Sequence, residues 1–135
     1  GVLTAEDTLY CKLLRGKSQS FQMESDLETL YLAMSTAPSI RVDSQSDPVR
    51  ISVDMCLSLQ TKSECANTNQ IAQMLRERIL ATIDRCKRMG VEPFRFADVA
   101  AGGFATIGEW LDYDWHSHFS DSEVDLRIQI IDEAA

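Results

Sequence analysis

Residues Val49 to Leu59, V-R-I-S-V-D-M-C-L-S-L, limit what this chain can fold into more than any other stretch. Side chains alternate with period two along a strand. Val49, Ile51, Val53, Met55, Leu57 and Leu59 therefore fall on one face, and Arg50, Ser52, Asp54, Cys56 and Ser58 on the other. At a rise of about 3.3 Å per residue such a strand reaches about 36 Å. A globule of this length has a radius of gyration of about 14 Å, so the strand crosses a whole domain.

Asn69 to Met89 predicts an amphipathic helix with Asn67 or Thr68 as its N-cap. Its buried stripe is Ile71, Ala72, Leu75, Ile79, Ala81 or Thr82, Ile83 and Cys86. Gly90 is the expected C-cap, and Pro93 stops continuation. Val124, Leu126, Ile128 and Ile130 form the apolar face of a closing strand from Val124 to Ile131, with Ile131 on the opposite parity.

Thr4 to Arg15 reads as a short helix, with Thr4 and Asp7 placed as a capping box. Gly16 to Ser20 reads as a loop. Ser25-Asp26-Leu27-Glu28 matches a second capping box and predicts a helix whose face carries Leu27, Leu30, Tyr31 and Met34, ended by Pro38. Ser39 to Val42 reads as a short strand and Asp43 to Pro48 as a turn. Phe94 to Val99 and Trp110 to His118 alternate well enough to predict strands around a glycine-rich loop. Together these pieces predict an α+β fold, a mixed or antiparallel sheet packed against one long amphipathic helix. The expected organisation is one domain over residues 1–135, with a helical N-terminal segment at 1–38 and the sheet and long helix at 39–135.

The hydrophobic fraction of 44% supports a packed core. No window approaches the run of about 20 apolar residues that a membrane span needs. The start, G-V-L-T-A-E-D, has no signal-peptide pattern, and Gly1 in place of Met suggests a processed start. The net charge of −8 disfavours nucleic acid and anionic membrane as partners. The basic cluster Arg76, Arg78, Arg85, Lys87 and Arg88 belongs largely to the end of a helix, where cations meet the negative end of its dipole. Cys11, Cys56, Cys65 and Cys86 show no C-x-x-C spacing and read as reduced thiols in a cytosolic protein.

Asp112, Asp114, His116 and His118 would share one face of a strand, and two imidazoles with carboxylates suit a transition metal. A solvated strand face explains the same pattern without a metal, and no further ligand spacing supports one. Gly102, Gly103 and Gly108 do not form a phosphate loop, and no G-x-S-x-G elbow exists. The sequence thus predicts no enzyme, no cofactor and no metal site.

From Asp47 onward the order of elements resembles the lambda-like tail terminator (neck) proteins of long-tailed bacteriophages. The matching parts are Val49 to Leu59, the polar loop Ser63 to Asn67, Asn69 to Met89, Phe94 to Val99, and a closing hairpin from Trp110 to Ile131. The resemblance implies a structural virion protein that forms a hexameric ring on the tail tube. Such a ring stops tail polymerisation and joins the tail to the head connector or stopper protein. It also implies assembly in the host cytoplasm, residence in the virion neck, and DNA passing the lumen without specific binding. Thr61, Lys62, Ser63, Glu64, Ile130 and Ile131 are the candidate oligomer interface, because the strand end projects and carries few charges to protect it. The alternative is a small cytosolic regulatory or ligand-binding α+β domain, with a metal at His116 and His118.

Overall fold

The computed structural model describes residues 3–17 and 19–133. Helix α1 (Ala5–Leu14) leads into strands β1 (Gln19–Glu24), β2 (Thr29–Met34), β3 (Ser39–Asp43) and β4 (Arg50–Leu59). The long helix α2 (Thr68–Met89) comes next. Short helices α3 (Phe96–Ala101), α4 (Ile107–Asp112) and α5 (Trp115–Ser120) then precede the last strand, β5 (Glu123–Asp132). This is an α+β fold on a mixed five-stranded sheet.

β4 is the axis of the sheet. One edge pairs in parallel with β5, from Arg50↔Glu123 to Leu59↔Asp132. The other edge is shared: β3 runs antiparallel to it over Arg50 to Asp54, and β2 meets it at Ser58 and Leu59. β1 completes an antiparallel hairpin with β2. A parallel pair needs a long crossover, and α2 with the three short helices supplies it.

The period-two pattern of β4 holds. Ile51, Val53, Met55, Leu57 and Leu59 are all buried, whereas Arg50 and Cys56 are exposed. α2 lays Ile71, Leu75, Ile79, Ile83 and Cys86 on that apolar face. Each such side chain contributes about 1.5–3 kcal/mol when fully buried. Asn67 caps α2 through a reciprocal box with Gln70, each side chain accepting the other's backbone N–H at 2.9 Å. Gly90 ends the helix at φ 70°, a left-handed conformation that costs glycine nothing.

The Thr4–Asp7 box also forms, and Asp7 does more than cap. Its carboxylate is closed to solvent and accepts Thr82 Oγ1 at 2.6 Å and Arg85 Nε at 3.2 Å, both from α2. Burial pushes this carboxyl up, but the hydrogen bonds from Arg85, Thr82 and Thr4 outweigh it and hold it well below the usual carboxylate range. Two further members of the basic cluster hold backbone carbonyls: Arg76 donates to Leu126 at 2.9 Å and Lys87 to Ser122 at 2.6 Å.

Three local expectations are corrected. Ser25 starts no helix, so the segment at 1–38 expected to be helical holds α1 followed by strands β1 and β2. The Ser25 hydroxyl accepts the Glu28 N–H at 3.1 Å, the bond a capping box would make, but here that bond closes the β1–β2 hairpin turn. Leu30 and Met34 fit periods of four and of two alike, and Leu32 between them is buried, so the strand wins. Phe94 to Val99 is no strand: Glu92 accepts the Ala97 N–H at 3.0 Å and starts α3. Trp110 to His118 is no strand either. It is α4 and α5, separated at Asp114, whose φ of 58° breaks any strand. The closing hairpin is therefore absent, since helices precede β5 and β5 pairs in parallel with β4. The expectations at Gly1 and Ser18 lie outside the described residues.

Candidate functional site

Helix α2 packs on the apolar face of the sheet, and among the described residues the other face of β3, β4 and β5 carries half-buried to exposed side chains. That face presents Ser39, Arg41 and Asp43 from β3, the polar residues of β4, and Glu123, Asp125, Arg127, Gln129 and Ile131 from β5. Its charges pair loosely, Arg41 with Asp54 at 3.7 Å and Arg50 with Glu123 at 3.9 Å. Between the β3 and β2 pairings lies a shallow groove of about 370 Å³, with Thr36, Asp54, Cys56, Arg127 and Gln129 in its lining.

A second feature lies where α3, α4 and α5 gather. Aromatic rings run outward from the core in continuous contact. Phe94, Phe96 and Phe119 form the inner group, and Trp115 stacks on Phe119 at 5.9 Å. Trp110 follows at 5.9 Å from Trp115, and Phe104 lies 5.5 Å from Trp110 and 4.8 Å from Tyr113. Tyr113 stacks on His118 at 3.9 Å and donates its hydroxyl to the Ser44 carbonyl at 3.3 Å, tying this corner to the β3–β4 turn. Burial, reinforced by the charges of Asp43 and Asp47, raises the Tyr113 phenol.

The Thr106 hydroxyl caps α4 by accepting the Glu109 N–H at 3.1 Å. With Trp110 turned to the rings, Ile107 and Leu111 point away from the body and are 78% and 71% exposed. They are four residues apart and share a helix face. Two large aliphatic side chains this open make an exposed apolar spot on one face of α4. The surroundings are acidic. From Phe96 to Leu126 the chain has carboxylates at Asp98, Glu109, Asp112, Asp114, Asp121, Glu123 and Asp125 and neither lysine nor arginine.

The residues expected to hold a metal are not brought together. His116 is exposed on α5, while His118 is stacked on Tyr113 and its Nδ1 lies 3.0 Å from the Asp114 carbonyl. Positions two apart on a helix do not face one another. Among the described residues no group of three or more His, Cys, Asp and Glu is placed to hold a metal ion. The candidate interface residues gather where β4 and β5 end. Thr61 Oγ1 accepts the Tyr31 N–H at 3.2 Å, and Ser63 Oγ donates to Glu28 at 2.7 Å. Glu64 N–H also reaches Glu28, and these bonds, led by Ser63, lower its carboxyl. Lys62 is exposed, Ile130 lies in the core, and Ile131 is 48% exposed on the open face. The exposed corner is not expected from the sequence, where Ile107 falls in the glycine-rich loop and Leu111 in the strand expected from Trp110 to His118, whereas α4 joins the two. The signal that finds it is the i, i+4 aliphatic pair after a Thr-x-x-Glu cap.

The profile of the family described as "Spore germination B3/GerAC like, C-terminal" matches residues 1–131. Among solved structures, the crystal structure of the GerBC protein superposes on 98% of this chain with a TM-score of 0.77 and 11% sequence identity. That likeness shows the fold, and the chain spans 47% of the GerBC chain. No curated protein matches the sequence. The family match overturns the tail-terminator resemblance, and with it the hexameric ring, the tail-tube and head-connector partners, and the virion neck. Element order misled because a long strand followed by a helix and a closing strand is common to many α+β folds. Among the described residues no helix is long and apolar enough to cross a membrane.

Proposed function

The chain belongs to the spore germination B3/GerAC-like C-terminal family, and we propose that it works in germination as a non-catalytic docking module, binding another protein through the α4 corner. The observation that carries this reading is the exposure of Ile107 and Leu111 on a helix anchored from behind by Trp110 and Tyr113. A few residues near the centre of an interface carry most of its binding energy. The carboxylates around Ile107 and Leu111 set the partner's chemistry: an apolar pocket bordered by lysine or arginine. The same carboxylates repel an anionic bilayer.

The test places Ile107→Ser with Leu111→Ser in the intact protein and follows the fall in optical density as spores germinate. Loss of anchors of this kind weakens binding by about 10- to 100-fold. Germination slows accordingly, while the purified domain melts as the parent does, since exposed sites change stability by about 0.5 kcal/mol or less. Normal germination with the double substitution would remove the proposal.

The groove on the open sheet face favours a second reading, a small-ligand site. Arg127 and Asp54 there offer opposite charges to a polar ligand. Under that reading Arg127→Ala shifts the germinant concentration needed for half-maximal rate and leaves the maximal rate unchanged. Under the docking reading Arg127→Ala is silent.

A further inference from the structure

β1, β3 and β5 each pair on one side only, so each forms an outer edge of the sheet. Such edges carry a row of unpaired N–H and C=O groups, and folded proteins protect them with a covering element, with lysine or proline, or with a bulge. Helix α3 packs against β3. Arg76 of α2 reaches the outer edge of β5 and donates to the Leu126 carbonyl at 2.9 Å. β1 has no such guard. Its register with β2 runs unbroken from Gln19↔Met34 to Glu24↔Thr29, so it has no bulge, and Q-S-F-Q-M-E holds neither lysine nor proline.

Parity shows which groups are open. The Ser25 N–H donates to the Glu28 carbonyl at 2.9 Å, which turns the odd-numbered residues of β1 toward β2. Ser20, Gln22 and Glu24 therefore turn their N–H and C=O groups outward, and none of these groups has a partner among the described residues. Their side chains are exposed, while Phe21 and Met23 are buried. Beside this edge one face of α1 leaves a groove of about 320 Å³, with Ala5, Glu6, Leu9, Tyr10, Met23 and Glu24 in its lining.

We propose that β1 takes up an extended segment of a partner polypeptide as a sixth strand, seated between the β1 edge and α1. The main chain of the segment bonds to the outward groups of Ser20, Gln22 and Glu24, and its alternate side chains set the choice of partner. Side chains opposite Phe21 and Met23 turn toward α1, where Leu9 and Met23 favour aliphatic residues. Those opposite Gln22 and Glu24 turn away from the core, and Glu24 favours a lysine or arginine across from it. Glu6 adds a second carboxylate at the groove. The occupant is thus an alternating aliphatic and basic strand. This surface is separate from the α4 corner, which Tyr113 ties to the β3–β4 turn at Ser44, so neither depends on the other.

The experiment uses the whole chain and a synthetic, end-capped peptide of alternating valine and lysine, with amide hydrogen exchange followed residue by residue. Saturating peptide slows exchange at Ser20, Gln22 and Glu24 by about tenfold or more and leaves α4 and β5 unchanged. The same peptide N-methylated at its lysines keeps its charge but loses the N–H groups that face β1, and it slows nothing. Gln22→Pro removes one outward N–H without taking a bond from the β1–β2 ladder, and it abolishes the effect of the unmodified peptide. The N-methylated peptide makes the same test on the parent chain, independent of how that variant folds. No slowing, equal slowing with both peptides, or slowing that arises in the chain alone as its concentration rises, which marks a second copy on the edge, would each overturn the proposal.

Discussion

The Thr82 hydroxyl of α2 donates to the Asp7 carboxylate of α1 at 2.6 Å, at a point where neither side chain reaches solvent. One residue thus serves two levels of structure: it caps its own helix through Thr4 and fixes that helix to the longest element in the fold.

The seam makes an asymmetric prediction. Arg85→Met leaves a buried carboxylate short of its cation and costs about 3 kcal/mol, measured as a shift in urea midpoint. Asp7→Asn keeps an acceptor for Thr82 and leaves an arginine whose side chain is already 41% exposed, so it costs less. The Asp7 carboxyl is held below its ordinary value of 3.8. Its contribution is therefore complete above that pH and is lost as pH falls through the lower, folded value. Asp7→Asn flattens that acid limb.

Glu92 acts in the opposite direction. Burial raises its carboxyl from 4.5 to about 7, against the backbone N–H groups of Ala97, Phe96 and Phe94. The folded state then holds a proton that the unfolded chain has released, so stability falls as pH rises from about 4.5 to about 7. The loss is on the order of 2 kcal/mol after discounting for the solvent that reaches the group. Thermal melts across that range check it. Glu92→Gln removes this limb, and an unchanged slope in the variant contradicts the assignment.

The two faces of β4 give a contrast between neighbours. Val53→Asp places a carboxylate in the core, where Val53 is 1% exposed, and costs several kcal/mol. Asp54→Ala, on the open face, removes only a 3.7 Å surface pair with Arg41 and changes stability by about 1 kcal/mol or less. Equal melting temperatures for the two variants would show the facing to be wrong.

Zinc supplies a further check. Tight binding at His116 and His118 would raise stability by about 2.7 kcal/mol at a hundredfold excess over Kd. The ring stack of His118 on Tyr113 predicts no such rise, in the parent or in His116→Ala with His118→Ala. A zinc-dependent increase in Tm that the double variant abolishes would restore a metal site.

Where one periodicity dominates, the elements were readable from the residues alone. β4 alternates over its whole length, β5 does so up to Ile130, and α2 carries a stripe with a cap at each end. The misread segments satisfy two periods at once. Leu30 and Met34 fit helix and strand, and Ser25 makes the same local hydrogen bond in a cap and in a hairpin turn. Alternation of aromatic and acidic residues from Trp110 to His118 reflects stacking on a core of phenylalanines, a tertiary effect that no local window contains. The exposed face of α4 was hidden for that reason, and so was the second role of Asp7, whose partners lie 75 and 78 positions away.

If α4 docks a protein, Ile107 lies inside the contact. The most direct measurement replaces Ile107 in the intact protein with a photoreactive benzoylphenylalanine and illuminates spores, with Lys62 replaced likewise as an exposed control. Docking through α4 gives one protein partner at position 107, absent at position 62, attached through a peptide that carries lysine or arginine beside apolar residues. Crosslinks to lipid alone, or the same scattered products at both positions, would contradict it.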